Sequence, residues 1–122
     1  MIPDAAAQST PPPLPVPEEE RMQVLVEADG TIRIAGELDF DTAGSLDTAL
    51  AQALSDRDSA EPLTLDMSEV TFCDSTGLNT LLRTRLVAES GGIHLTVRAA
   101  SEQVDRLFLI TGTAALFGRA VA

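Results

Sequence analysis

Hydrophobic and polar positions near the start of the chain alternate one by one. Residues 22–27 and 31–38 both show this two-residue period, which is typical of β-strands with one buried face. Asp29 and Gly30 lie between the two segments, and an Asp-Gly pair favours the tight turn of an antiparallel hairpin. The two segments are therefore predicted to pair as such a hairpin.

Three later segments follow a helical period instead, with apolar residues at intervals of three and four. The apolar stripes comprise Leu46, Ala49, Leu50, Ala53 and Leu54 in the first helix, Leu78, Leu81, Leu82 and Leu86 in the second, and Val104, Leu107 and Phe108 in the third. We expect Asp41 or Thr42 to cap the first helix. The second begins at Ser75 and ends at the glycine pair 91–92, and Ser101 caps the third.

Two further strands lie between these helices. One extends from Pro62 toward Phe72, and the other covers residues 93–98. The first has few polar residues, which is typical of a central strand covered on both faces. Leu116 and Phe117 supply a last short strand or helical turn. The order ββαβαβα predicts a single α/β domain with a mixed sheet of four or five strands, an N-terminal antiparallel hairpin and three or four helices.

Residues 1–20 differ in composition from the rest of the chain. Five prolines fall between positions 11 and 17, and glutamates follow at positions 18–20. Proline blocks helix formation and sheet pairing, so this segment favours an extended, solvated chain. A ligand for a proline-binding groove is the alternative interpretation. We therefore divide the chain into a disordered arm, residues 1–20, and a folded domain, residues 21–122.

The chain is strongly acidic, with 19 Asp and Glu residues, eight basic residues and a net charge of −11. Nucleic acids and anionic membranes require a basic patch on the protein, so neither is expected as a partner. The charge fits a basic protein partner, and solubility alone explains it equally well. All eight basic residues are arginine, which excludes the lysine chemistry of phosphate loops, Schiff bases and kinases.

Cys73 is the single cysteine, so neither an intramolecular disulfide nor a cysteine-rich metal site is expected. We expect no cofactor. The N-terminus lacks the basic and apolar regions of a signal peptide, and no segment approaches a run of about 18 apolar residues. These observations predict a cytoplasmic protein.

Residues 72–78 carry the most chemical information. Their sequence, Phe-Cys-Asp-Ser-Thr-Gly-Leu, lies where a strand pattern gives way to a helical one. Ser75 is thereby placed at a helix start, close to Gly77, whose missing side chain permits close backbone approach. An exposed hydroxyl there can be phosphorylated, which adds roughly two negative charges. The alternative is that Ser75 serves only as the N-cap of the helix.

Three stretches occur in a characteristic order along the chain. They are Gly36-Glu37-Leu38-Asp39 after the second strand, residues 65–78, and Ile110-Thr111-Gly112 near the end. Together they resemble a STAS domain, and more narrowly a bacterial anti-sigma factor antagonist, over roughly residues 22–118. The Asp-Ser-Thr-Gly-Leu element is too short to identify a family by itself. It becomes specific because it follows Asp-x-Ser-x-Val-x-Phe at a fixed spacing.

This resemblance implies a phosphorylation switch. In the family, an anti-sigma factor with serine kinase activity phosphorylates the serine that matches Ser75, and a protein phosphatase removes the phosphate. The unphosphorylated form binds the anti-sigma factor and frees the sigma factor, whereas the phosphorylated form is released. The docking residues that the resemblance implies are Asp39, Asp41, Asp74, Ser75, Thr76, Gly77 and Leu78. The oligomeric state expected is a monomer or weak dimer.

Two other functions are compatible with parts of the sequence. Asp39 and Asp41 follow a strand two residues apart, as do the Mg²⁺-binding carboxylates of haloacid-dehalogenase-like phosphatases. Those enzymes need a larger fold and a phosphate-binding lysine, so we expect no enzymatic activity. The other alternative keeps the fold, because STAS domains also act as subunits of transport systems and as scaffolds in stress-signalling complexes.

Overall fold

The computed structural model describes residues 21–58 and 61–119. Within them the elements are β1 (Met22–Val26), β2 (Ile32–Leu38), α1 (Ala43–Ser55), β3 (Leu63–Cys73), α2 (Ser75–Ser90), β4 (Leu95–Ala100), α3 (Glu102–Thr111) and a 3₁₀ helix (Ala114–Phe117). The predicted order is confirmed, and Leu116 and Phe117 form a helical turn. The arm predicted over residues 1–20 lies outside the described residues. None of the helices in residues 21–58 and 61–119 is both long and apolar enough to cross a membrane.

The strands form one mixed sheet in the order β1-β2-β3-β4. β1 and β2 are antiparallel, with Val24 opposite Ile34. Gly30, in the turn between them, has a φ of 87°, which glycine adopts without strain. β2, β3 and β4 run parallel. The hairpin and the mixed sheet are therefore confirmed, with four strands in the part of the chain that the structure describes.

All three α-helices bury apolar side chains in one core. Leu46 of α1, Leu81 of α2 and Phe108 of α3 are fully buried in the same hydrophobic cluster. The ring of Phe108 stacks on Phe117 with centroids 4.8 Å apart, which joins the 3₁₀ helix to this core. The strand ends are thus held by helices that share one packed interior.

The opposite face of the sheet is polar. Arg33 on β2 donates to Glu27 at 2.6 Å, and the guanidinium of Arg98 on β4 lies 3.4 Å from the Asp66 carboxylate on β3. The prediction that β3 is covered on both faces is wrong, because its burial alternates and the residues on this face stay partly exposed. Arginines from the neighbouring strands stabilise the polar face, so no second layer of helices is needed there.

The buried face of α2 is more polar than its predicted stripe. Thr80 and Thr84 are buried, and their hydroxyls donate to the carbonyls of Thr76 at 3.1 Å and Thr80 at 2.8 Å. These bonds within the helix satisfy hydroxyls that would otherwise be costly to bury. Leu86, which the period placed in the apolar stripe, is 62% exposed.

Candidate functional site

The candidate site lies where β2 and β3 end side by side. Leu38 and Cys73, the last residues of these parallel strands, occupy paired positions. The Asp74 amide donates to the Leu38 carbonyl at 3.1 Å, so the pairing continues one residue beyond β3. The β2–α1 loop, residues 39–42, and the first turn of α2 therefore leave the same edge of the sheet as neighbours. All of the docking residues implied by the resemblance lie at this edge.

Asp74, and not Ser75, caps α2. The Asp74 carboxylate accepts hydrogen bonds from the backbone amides of Thr76 at 2.9 Å and Gly77 at 3.1 Å. Ser75 is the first residue of the helix and is exposed. The alternative that Ser75 serves only as the N-cap is therefore wrong, because aspartate caps as well as serine and already holds that position. The Ser75 hydroxyl has no part in closing the helix.

Gly77 packs directly against the end of β2. It is buried, and an added β-carbon would lie 2.8 Å from Leu38 Cβ, 2.9 Å from the Leu38 carbonyl oxygen and 3.0 Å from Cys73 Sγ. These distances are shorter than favourable van der Waals contacts. The close approach that the sequence predicted at Gly77 is present, and it fixes the first turn of α2 against both strand ends.

Gly77→Ala is expected to destabilise the domain by about 1–3 kcal/mol, because a packed position gains a methyl group. Gly44 provides the matched control, since it lies near the start of α1 and an added β-carbon there meets nothing within 4 Å. Gly44→Ala should leave stability unchanged or raise it by up to about 1 kcal/mol. Urea unfolding measures both variants, and equal stabilities would contradict the packing at Gly77.

The Asp39 side chain organises the β2–α1 loop from within. Its carboxylate accepts from the backbone amides of Asp41 at 3.0 Å and Thr42 at 3.2 Å, and only 18% of the side chain is exposed. Of the two predicted N-cap residues of α1, Asp41 and Thr42, Thr42 occupies that position. Its buried hydroxyl donates to the Glu37 carbonyl at 2.8 Å, however, and caps no amide of the helix. Asp39 and Thr42 thus determine the shape of the loop.

Arg21, which precedes β1, forms ion pairs with three acidic residues at the end of β2 and in the β2–α1 loop. Its guanidinium lies 2.8 Å from Glu37 and 3.4 Å from Asp41, and it also bonds to Asp39. The hydrogen bond to Glu37 raises the pKa of Arg21 further above its usual range. Both carboxylates that the phosphatase alternative assigns to Mg²⁺ are therefore paired with an arginine. In the described residues, no group of three or more histidine, cysteine or acidic side chains is arranged to hold a metal ion.

Stability should depend on pH through Asp39. Partial burial favours the neutral carboxyl, but hydrogen bonds from Thr42 and Arg21 outweigh it and lower the pKa of Asp39 below its ordinary value of 3.8. The stability that this carboxylate contributes is thus present above about pH 4 and is lost as the pH falls through the lowered folded-state pKa.

Asp39→Asn is accordingly expected to lower the free energy of unfolding at pH 7 by about 1 kcal/mol, because it removes the ion pair with Arg21. The difference from the wild type should shrink as the pH falls through the lowered pKa of Asp39, because the native carboxylate then becomes protonated too. Urea unfolding at several pH values tests this, with Asp47→Asn as a control at an exposed position of α1. A difference that stays constant down to low pH would contradict the assignment.

The surface left exposed at this edge differs from the predicted docking set. Gly77 is buried and Leu78 is 5% exposed, so neither presents a side chain to a partner. Phe40 is 81% exposed in the β2–α1 loop, beside Asp41, whose side chain is 71% exposed. We call Phe40, Asp41 and Ser75, the exposed side chains at this edge, the candidate docking surface. Sequence reasoning missed Phe40, although a phenylalanine between two aspartates, outside any apolar period, was an available signal.

Cys73 lies buried directly behind this surface. Burial raises the pKa of its thiol to about 12. A thiol with so high a pKa forms almost no thiolate at neutral pH, which makes it unreactive. The cysteine therefore acts as a small apolar residue that supports the end of β3.

Known proteins share this fold. A family model described as "Mlab, STAS domain" matches residues 22–118. The chain is similar to the crystal structure of an anti-sigma factor antagonist from Mycobacterium paratuberculosis, at 28% sequence identity and a TM-score of 0.71, over 89% of this chain and 92% of that one.

Two structures of SpoIIAA also match. The anti-sigma factor antagonist SpoIIAA in its unphosphorylated form has 18% identity and a TM-score of 0.63, over 83% of this chain and 87% of that one. The Bacillus cell fate determinant SpoIIAA in its phosphorylated form has 18% identity and a TM-score of 0.55, over 83% and 90%. At this level of identity, both comparisons bear on the fold.

Proposed function

Because the chain belongs to the STAS domain family, we propose that it is an anti-sigma factor antagonist controlled by phosphorylation of Ser75. The observation that carries the proposal is the exposed Ser75 at the first position of α2, at the same edge of the sheet as the exposed Phe40 and Asp41. The unmodified protein binds an anti-sigma factor that is also a serine kinase, and so frees a sigma factor. The phosphorylated protein is released, and a protein phosphatase restores it. The function of the Mycobacterium paratuberculosis relative supports this proposal.

The local charges explain why a phosphate acts on the interface and not on the fold. The Thr76 and Gly77 amides at the start of α2 already donate to Asp74, so these two donors are not available to a phosphate at this helix N-terminus. Arg21 is already paired with acidic side chains. A phosphate on Ser75 therefore adds roughly two negative charges to the sheet edge that also carries the exposed Asp41, and we expect it to act on the bound partner.

The candidate docking surface also indicates the chemistry of the partner. Phe40 requires an apolar pocket, because an exposed aromatic ring gains most from being buried in one. Basic residues around that pocket would match Asp41 and the net charge of −11, and would accelerate encounter. Opposite Ser75 the kinase holds the phosphates of its nucleotide, since the serine oxygen must reach the γ-phosphorus of ATP. Once Ser75 is phosphorylated, like charges meet there and binding weakens.

The protein itself is proposed to have no enzymatic activity. The kinase transfers the γ-phosphoryl group of ATP to the Ser75 oxygen, and the phosphatase hydrolyses the resulting ester, so both reactions are catalysed by partners. The cytoplasm is the expected compartment, because ATP and sigma factors act there. We expect a monomer or weak dimer, without nucleic-acid or membrane partners.

Intact-mass measurement with site mapping, after incubation with a candidate anti-sigma kinase and ATP, tests this function. We expect one added phosphate, on Ser75. Ser45→Ala removes an exposed serine from the first turn of α1 and should still be phosphorylated, whereas Ser75→Ala should not. If kinases that modify established antagonists leave this protein unmodified, the switch is wrong. A transport or stress-scaffold subunit, which binds its partner without the modification, then becomes the better explanation.

A further inference from the structure

We infer that Gln103 is a positioning residue for Ser75. The part of this role that concerns the kinase rests on the proposed function. The Gln103 amide nitrogen donates to the Cys73 carbonyl at 3.1 Å, and the two residues are 30 positions apart. Cys73 ends β3, and only Asp74 separates it from Ser75. A side chain of α3 thus contacts the backbone immediately before the candidate docking surface.

The bond compensates for the unequal lengths of β3 and β4. The last paired positions of these strands are Met67 and Ala100, whereas β3 continues to Cys73. On the other side of β3, pairing with β2 extends to its end. After Met67, the backbone groups of β3 that point away from β2 therefore have no partner on β4. Leaving a buried carbonyl among them without a hydrogen-bond donor costs free energy. Gln103 supplies the donor for Cys73.

Only one orientation of the Gln103 amide fits this contact. The group that faces a carbonyl must be the NH₂, because the amide oxygen accepts hydrogen bonds and does not donate them. The amide oxygen is then buried and finds no hydrogen-bond partner among the described residues. One bond gained and one acceptor left unsatisfied largely offset each other in folding. What Gln103 determines is the placement of the backbone at Cys73.

α3 is a firm support for this contact. The Ser101 amide donates to the Met67 carbonyl at 3.1 Å, and the Ser101 hydroxyl caps α3, as predicted, by accepting from the Val104 amide at 3.3 Å. Val104 and Phe108 bury the helix in the core. Gln103 therefore extends from a fixed element and holds the residue before Asp74, whose carboxylate in turn holds the first turn of α2.

Gln103→Met tests this role, because methionine is similar in length and shape to glutamine but donates no hydrogen bond. We expect amide hydrogen exchange in the first turn of α2 to become about fivefold faster. The KM for Ser75 phosphorylation should rise about fivefold for a separate reason: without the bond the backbone at Cys73 occupies several positions in the folded state, and about one molecule in five presents Ser75 correctly. The value of kcat should not change, since the kinase selects molecules in which Ser75 is already correctly placed. The melting temperature should change by less than about 5 °C.

Gln52→Met is the matched control. It removes an exposed glutamine amide of α1 that donates to Asp56 at 3.1 Å, so it should alter neither exchange in α2 nor KM. Equal effects of the two variants would overturn the inference, as would unchanged exchange in Gln103→Met or faster exchange with an unchanged KM. Gln103→Leu, which also lacks a donor, repeats the test if Gln103→Met folds poorly. Amide hydrogen exchange is measured without a kinase. If the wild-type protein is never phosphorylated, the proposed function is refuted, but the exchange rates still show whether Gln103 positions the backbone before Ser75.

Discussion

Phosphorylation of Ser75 is expected to weaken binding to the anti-sigma factor about a hundredfold, which corresponds to about 3 kcal/mol. In the proposed complex the phosphate would face the nucleotide phosphates of the kinase. Arg21, which contacts the β2–α1 loop, is already paired with Glu37 and Asp39. Ser75→Asp should weaken binding by about tenfold, because a single carboxylate supplies only part of the charge. Isothermal titration calorimetry with each form measures these affinities.

Ser75→Ala removes the hydroxyl without adding a charge, so it shows whether binding depends on the hydroxyl itself or on the added negative charge. Because Asp74 caps α2, this variant should melt at the wild-type temperature and bind as tightly as the wild type or more tightly. Ser55→Asp places the same charge at the far end of α1 and should leave affinity unchanged. Weak binding by a folded Ser75→Ala protein would contradict docking through this surface.

Phe40→Ala is expected to weaken binding about thirtyfold without lowering the stability of the free protein. Burying an aromatic side chain in a partner is worth about 2 kcal/mol, and such rings dominate the energetics of interfaces. Phe40 is 81% exposed and so contributes little to its own core. Surface plasmon resonance measures the affinity, and thermal melting the stability.

Ile110→Ala is the matched control for this prediction. Ile110 is 74% exposed near the end of α3, so its removal takes away a large apolar side chain outside the candidate docking surface. Its affinity should stay within about twofold of the wild type, as is usual for residues outside the centre of an interface. A loss equal to that of Phe40→Ala would show that exposed apolar area in general, and not the β2–α1 loop, governs binding.

The elements of this fold were predictable because their signals are local. The alternation in β1 and β2, the Asp29-Gly30 turn and the Ser101 cap each depend on residues that are neighbours in sequence. Local signals also explain why an incorrect alternative, Ser75 as the N-cap, stayed open in the sequence. Asp74 and Ser75 are adjacent, and both residue types cap helices well, so spacing alone could not tell which of them closes α2.

The details of the site depend on contacts that no local pattern contains. The sequence located Ser75 through its motif, but the pairing of Arg21 with Asp39 joins residues on either side of the hairpin. The bond from Gln103 to Cys73 spans 30 positions. The two-sided covering predicted for β3 failed for the same reason, since the arginines that stabilise its polar face belong to other strands.

Capping by Asp74 has a consequence for how long each form of the protein lasts in a cell. Ser75 makes none of the hydrogen bonds that close α2, so adding or removing its phosphate leaves those bonds intact. Proteolysis follows the fraction of molecules that are unfolded, and that fraction should be the same for both forms. Degradation of the free protein then removes both forms at one rate, and a difference in lifetime between them comes only from the partner that protects the bound form.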